Sequence, residues 1–230
     1  MKVKILEFVE GAQKATGLTV IIDVFRAFSV TCYAYDAGAK QIIATGSADD
    51  AFLLKAKISN SVLVGERDEK KIMGFDFGNS PTEIIQTDLT NKTVIHTTTA
   101  GTNGLVNAKN ADLLLTGSLV NATAIIHYIK DLNPENVSLV AMGYKATHSV
   151  EEDLLCAEII ADGLLGKMVN YNNRISDLQS TSGKRFFDPD NIDFSPPSDF
   201  FLCTTLDKFN FVLRAIARAD GNISLIRIDI

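Results

Sequence analysis

LTVIID (18–23) and KTVIHTT (92–98) are the two stretches on which the fold turns. Each is a short run of β-branched and aliphatic residues ending in polar side chains, the pattern of a buried strand that runs into a turn. Each also opens a longer block, and the two blocks match in outline: TVIID…AGAKQIIATGS (19–47) and TVIHTTT…AKNADLLLTGS (93–118). Both read strand, polar turn, helical stretch, strand, then Thr-Gly-Ser. The offset between them is 74 residues at the first threonine and 71 at the final serine. They are either a duplicated βαβ unit or two units that answer the same physical demands. In both cases the turns after Ile22 and after His96 are expected to leave the same edge of a sheet, and ligands of open α/β sheets bind outside the carboxyl ends of the strands.

Outward from these blocks, further apolar runs bounded by turns occur at AKQIIAT (39–45), SVLVG (61–65), DLLLTGS (112–118), VSLVAMG (137–143) and ISLIRIDI (223–230). Helix-length segments separate several of them, the longest being SVEEDLLCAEIIADGLLGKM (149–168), with Leu155, Ile159, Ile160 and Leu164 at helical spacing. Apolar strands alternating with amphipathic helices define an α/β protein with a mixed, largely parallel sheet covered on both faces, and here two similar βαβ-containing halves. The chain reads as one compact unit over residues 1–230, divisible into 1–90 and 91–230. Residues 180–199 hold three of the five prolines and read as a long ordered flap, because apolar sequence resumes after them.

Composition narrows the function. The 230 residues are 46% hydrophobic and 22% charged, with a net charge of −6 and no segregated basic block, which argues against nucleic acid as a partner. The apolar run Ile5–Val9 is interrupted by Glu7, too short for a signal segment or a membrane span, so a cytoplasmic location without a membrane partner is expected. Cys32, Cys156 and Cys203 are widely spaced and form no CxxC pair; each reads as a small buried residue. No HExxH, GxSxG, GxGxxG or GxxxxGK motif occurs, which removes support for a zinc hydrolase, a serine hydrolase, a dinucleotide-binding dehydrogenase and a Walker-type nucleotidase. Nothing marks a self-complementary surface for an oligomer.

Four stretches carry polar chemistry. In IIDVFRAFS (21–29), Asp23 ends a strand and Arg26 follows three residues later: a carboxylate for a hard cation or a proton beside a planar fork for phosphate oxygens, or else a helix cap beside a surface arginine. GERDEKKIMGFDFGNSPTE (65–83) places Glu66, Arg67 and Asp76 in a glycine-punctuated connection. There Ser80, Pro81 and Glu83 spell a helix start, which leaves Asn79 unexplained. HTTTAGTNG (96–104) offers the hydroxyls of Thr97, Thr98, Thr99 and Thr102 with the backbone of Gly101 to an oxyanion, although threonines also end strands for β propensity alone. In HSVEEDLLCA (148–157), Ser149 and Glu152 match a capping box, and Glu152 or Asp153 is the alternative metal ligand or base.

Taken in order, DVFRA, GER, GFDFGNSP, TTTAGT, GS followed by Asn121, and EDLLCA resemble the serial signature of the 2-phosphosulfolactate phosphatase family, and SGKRF (182–186) and LDKFNFV (206–212) are similar to its C-terminal part. Ala100 stands where the family pattern TTTNGT usually has Asn, and Phe28 where a small hydroxyl residue is common. The resemblance implies a three-layer α/β/α architecture and a magnesium-dependent phosphatase that converts 2-phosphosulfolactate to sulfolactate, a step of the coenzyme M type. On that basis Asp23, Arg26 and Glu152 are the expected catalytic residues, and Asp23, Glu66, Asp76 and Asp153 the expected holders of Mg²⁺. A small anion, phosphorylated and sulfonated, would be bound by Arg67, Asn79, Thr97, Thr98, Thr99, Gly101, Thr102, Ser118 and Arg185. The alternatives are a non-catalytic small-anion-binding protein and a phosphatase for another short phosphorylated hydroxy acid.

Overall fold

The computed structural model describes residues 1–230. The chain runs β1 (Lys2–Glu7), α1 (Phe8–Lys14), β2 (Gly17–Ile22), α2 (Ala27–Asp36), β3 (Gln41–Ala44), α3 (Ala48–Lys57), β4 (Ser61–Arg67), β5 (Lys70–Lys71), α4 (Pro81–Ile85) and β6 (Thr93–Thr97). It continues through α5 (Gly101–Asn107), β7 (Ala111–Gly117), α6 (Ala122–Leu132), β8 (Asn136–Ala141), α7 (Glu151–Leu164), α8 (Asn172–Asp177), α9 (Pro197–Thr204), β9 (Phe211–Ala217) and β10 (Ile223–Asp229).

All ten strands lie in one sheet, in the order β1-β8-β2-β7-β9-β10-β3-β6-β4-β5. β1, β8, β2 and β7 are mutually parallel, as are β3, β6 and β4. Between the two parallel sets sits the antiparallel hairpin β9–β10, with β9 against β7 and β10 against β3. The architecture is therefore α/β with a mixed, mostly parallel sheet and helices on both faces, as the alternating runs require. Apolar residues occupy successive positions of the central strands because both faces are covered. In β2, Leu18, Val20 and Ile22 enter the core beneath α6 and α7, whereas Ile21 enters the core shared with α1, α2 and α5. Ile43, Leu63 and Ile95 form a third, smaller core under α3.

The two matching blocks are exchanged between the halves of this sheet. β2 lies between β7 and β8, while β6 lies between β3 and β4. The first block thus crosses from one half to the other through α2, and the second crosses back through α5. Thr-Gly-Ser follows each arrival strand, at Ser47 and at Ser118.

Contrary to the expected common edge, the turns after Ile22 and His96 leave opposite ones. β2 and β6 belong to halves that point in opposite directions, because the intervening ladder contains three antiparallel steps, so their turns do not leave one edge of a parallel sheet. They meet for a different reason. Five strand steps separate β2 from β6. At roughly 20–25° of twist per step, the carboxyl ends of the two halves rise toward the same face, over the central hairpin. The amino ends of α2 and α5 meet there.

Candidate active site

Asp23 leaves the end of β2 and stands where the halves converge. Its Oδ1 accepts the Ala27 N–H at 3.1 Å, so it also anchors the first turn of α2. Its Oδ2 lies against Gly101, the first residue of α5: a Cβ there would stand 2.8 Å from Oδ2 and 2.9 Å from the Ala27 Cβ. Only glycine permits this approach. Burial pushes the Asp23 pKa from 3.8 up to about 6; the Ala27 N–H opposes the shift, and the charges of Glu66 and Glu152 add to it.

Glu66 comes from the end of β4. Its Oε1 accepts the Thr99 N–H at 2.7 Å, and its Oε2 accepts the Thr99 hydroxyl at 3.2 Å and the Glu69 N–H at 2.9 Å. It therefore fixes the threonine turn after β6 to the turn after β4. Beside it, Asn79 Oδ1 meets the buried His96 Nε2 at 3.1 Å. Burial, with the nearby Arg67 charge, lowers the His96 pKa to about 3, so this ring is neutral.

From α7 come Glu152 and Asp153, each only 3% exposed. Asp153 Oδ1 accepts the Val24 N–H at 2.8 Å and its Oδ2 the Gly143 N–H at 2.9 Å, tying the ends of β2 and β8 together. Glu152 Oε2 is buried without any hydrogen-bond partner. Burial raises both pKa values, and at Asp153 the Glu152 and Asp23 charges raise it further. The Ser149–Glu152 capping box does not form: Val150 is the N-cap of α7, with no side-chain cap, and Glu152 turns into the cleft.

Each cation of the cleft is held by an acid. Arg26 Nη1 pairs with Asp199 at 2.7 Å and donates to the Phe194 carbonyl at 2.6 Å, with exposures of 3% and 0% for the pair. Asp199 also accepts from the Ser80 hydroxyl and the Thr82 N–H, so it bolts the flap to the start of α4. Arg185 Nη1 pairs with Glu69 at 2.6 Å, and Lys145 pairs with Asp68.

The cleft has two adjoining recesses that share Asp23, Phe25, Glu69, Gly143, Tyr144 and Arg185. Of the sequence candidates, Arg26, Glu66, Asn79 and Thr99 join the first recess and Glu152 and Asp153 the second. Gly101 backs Asp23. Several candidates lie elsewhere. The Asp76 carboxylate is spent on the Leu63 N–H and Lys55, outside both recesses. Thr98 and Thr102 are buried and bond to each other's backbone. Thr97 accepts from Arg67, whose other bond goes to the Glu66 carbonyl. Ser118 is fully buried, with its hydroxyl 2.7 Å from that of Ser29.

Sequence reasoning missed Asp68, Glu69, Gly143, Tyr144, Lys145, Ser182 and Asp199. A usable signal existed for Gly143, Tyr144 and Lys145, since they follow the carboxyl end of β8, where ligands of such sheets bind. Asp199 gave none, because an acid after Pro-Pro reads as an ordinary first-turn residue.

Comparison with known proteins defines the class first. Residues 4–215 match the family model described as 2-phosphosulpholactate phosphatase, which places the chain among the phosphoric monoester hydrolases. The chain belongs to the 2-phosphosulfolactate phosphatase family. A probable 2-phosphosulfolactate phosphatase of Bacillus subtilis strain 168 is 32% identical over 212 residues, spanning 91% of this chain and 90% of that protein. One from Carboxydothermus hydrogenoformans is 40% identical over 153 residues, spanning 66% of this chain and 63% of that protein. One from Caldanaerobacter subterraneus is 31% identical over 210 residues, spanning 84% and 85%.

Proposed function

We propose that the chain hydrolyses 2-phosphosulfolactate to sulfolactate and inorganic phosphate in a magnesium-dependent reaction of the coenzyme M type, in the cytoplasm. The observation that carries this reading is the placement of Asp23 at the junction of both recesses, near Glu66, Glu152 and Asp153, with no cationic side chain paired to it. Acids whose charges raise the pKa values of Asp23 and Asp153 are a donor set for a divalent ion. The partnerless Glu152 Oε2 is an oxygen such an ion could use.

No three metal-binding side chains are gathered into a ready cage. Magnesium does not require one, since it takes one or two carboxylates, several waters and the phosphate oxygens of its substrate. Asp23 and Glu152 would hold it, with Asp153 and Glu66 behind them. When bound, the ion neutralises charge on the phosphoryl oxygens. The Asn79 amide orients those oxygens, while Arg26, closed from solvent by its pair with Asp199, holds the wall of the first recess in place. Asp23 either takes a proton from the water that attacks phosphorus, or attacks phosphorus itself to form an acyl phosphate that water then hydrolyses; in both cases the bond from phosphorus to the ester oxygen breaks. The departing oxygen takes its proton from water in the open cleft.

The test is phosphate release from 2-phosphosulfolactate and from phospholactate and phosphoglycerate, with magnesium and with chelator. Release of phosphate from the sulfonated ester, dependent on magnesium and abolished in Asp23→Asn, is expected. Equal activity in chelator would overturn the metal requirement, and release from another ester alone would overturn the substrate. Detection of a phosphorylated Asp23 would select direct attack by that residue.

A further inference from the structure

Arg26, Lys145 and Arg185 are the arginines and lysines that line the cleft, and each already touches a carboxylate. A ligand with an acidic tail in addition to its phosphate therefore meets no cationic side chain that lacks a competing carboxylate. Arg26 is not the place, because its pair is closed from solvent. Arg185 and Glu69 are 21% and 19% exposed and face both recesses.

The surroundings of this pair suit exchange. Glu69 has its backbone fixed on both sides: its N–H donates to Glu66 and its carbonyl accepts from Arg26 at 3.3 Å. Only its side chain needs to swing. The residue holds a left-handed φ of 69°, an uncommon conformation for a residue with a side chain. Arg185 stays in place without Glu69, since its guanidinium lies over the rings of Tyr144 at 5.7 Å and Phe186 at 5.1 Å, and Nη2 donates to the Phe25 carbonyl. Its Nε is buried with no partner.

We propose that Glu69 is a specificity-determining residue that competes with the ligand's acidic tail for Arg185: it holds the arginine in the free protein, yields it to a carboxylate or sulfonate on the bound ligand, and retakes it when the dephosphorylated product leaves. The inference rests on the phosphatase reading for the identity of that product. A tethered carboxylate competes at high effective concentration, so it can lower the affinity of a two-charge product without blocking a substrate that is also held through its phosphate.

The test is calorimetric titration of sulfolactate, and separately of inorganic phosphate, into the magnesium-loaded full chain as wild type, Glu69→Gln, Arg185→Gln and the double variant. Glu69→Gln is expected to tighten sulfolactate about tenfold and phosphate by less than about twofold; Arg185→Gln weakens sulfolactate about tenfold and cancels most of the gain from Glu69→Gln. Glu69→Asp, which keeps the charge on a shorter arm, falls between wild type and Glu69→Gln. Unchanged or weaker sulfolactate binding in Glu69→Gln, or equal tightening of both anions, overturns the exchange. Wild-type turnover is measured alongside. Selective tightening without turnover leaves the exchange standing and removes the phosphatase reading, whereas turnover without selective tightening does the reverse.

Discussion

Asp23 is kept by its neighbours in a state that costs stability. Its folded pKa of about 6 exceeds the ordinary 3.8, so the folded protein binds the proton more tightly than the unfolded chain does. The stability this group contributes is complete below the unfolded value and is lost as pH rises through about 6. In metal-free protein near neutral pH the ionised carboxylate therefore costs up to about 3 kcal/mol. Asp23→Asn keeps the Ala27 contact and carries no charge. It should release no phosphate yet be more stable than the wild type in chelator, by up to about 3 kcal/mol at neutral pH, with the gap closing toward pH 4. Urea unfolding at several pH values measures it; a variant no more stable than wild type at neutral pH would show that burial does not set this pKa. Gly101 makes the complementary case. A Cβ at this position would enter the space of Asp23 Oδ2 and Ala27, forcing the starts of α2 and α5 apart. Gly101→Ala should lower kcat about a hundredfold, the usual consequence of misplacing a reacting group by about 1 Å, while a cooperative melting transition persists.

At the scale of elements, helix starts show which local signals survive folding. Ser80 caps α4 as its sequence requires, accepting the Glu83 N–H with Pro81 in the first turn. Ser149 offers the same local grammar before α7, but Glu152 is drawn into the cleft beside Asp23 and the box is not made. A capping box is worth about 1 kcal/mol, so a tertiary demand of modest size overrides it. The flap is legible as an ordered Pro-rich segment, yet its attachment is not: Asp199 finds Arg26 from a distance of 173 residues, and nothing local marks that partner. This attachment predicts a clear mutational pattern. Asp199→Ala strands the Arg26 charge in a buried site and should cost about 3–5 kcal/mol, whereas replacing both residues with apolar ones of similar size should recover most of that stability. Activity should not return in the double variant, because Arg26 lines the first recess. Recovery of activity together with stability would make Arg26 a purely structural residue.

For the whole molecule, the class of fold was legible because buried strands announce themselves by β-branched runs: seven of the ten strands coincide with runs such as LTVIID and VSLVAMG. Strand order was not, since it depends on pairings between residues far apart, and β1, at the sheet edge with half its residues exposed, carries too little apolar pattern to be seen. The repeat gave the right units but not their exchange between halves. That exchange has a mechanical consequence. A cut between Thr90 and Asn91, at an exposed turn, separates β2 from both β7 and β8, and β6 from both β3 and β4. Each fragment then holds five strands of a sheet that is broken at two or more places, and the strands beside each gap lose their partners. Neither fragment should unfold cooperatively alone, because a gap in a sheet leaves two rows of backbone groups unpaired beside an open core. Mixed in equal amounts, the fragments should restore a cooperative transition, since each supplies the strands the other lacks, and phosphatase activity should return with it because Asp23 and Glu66 lie on one fragment while Thr99 and Glu152 lie on the other. Circular dichroism melts of the separate and mixed fragments decide the matter. A cooperative transition in fragment 91–230 by itself would mean that β7 and β8 close without β2 between them, and that the exchanged strands are not what binds the molecule into one unit.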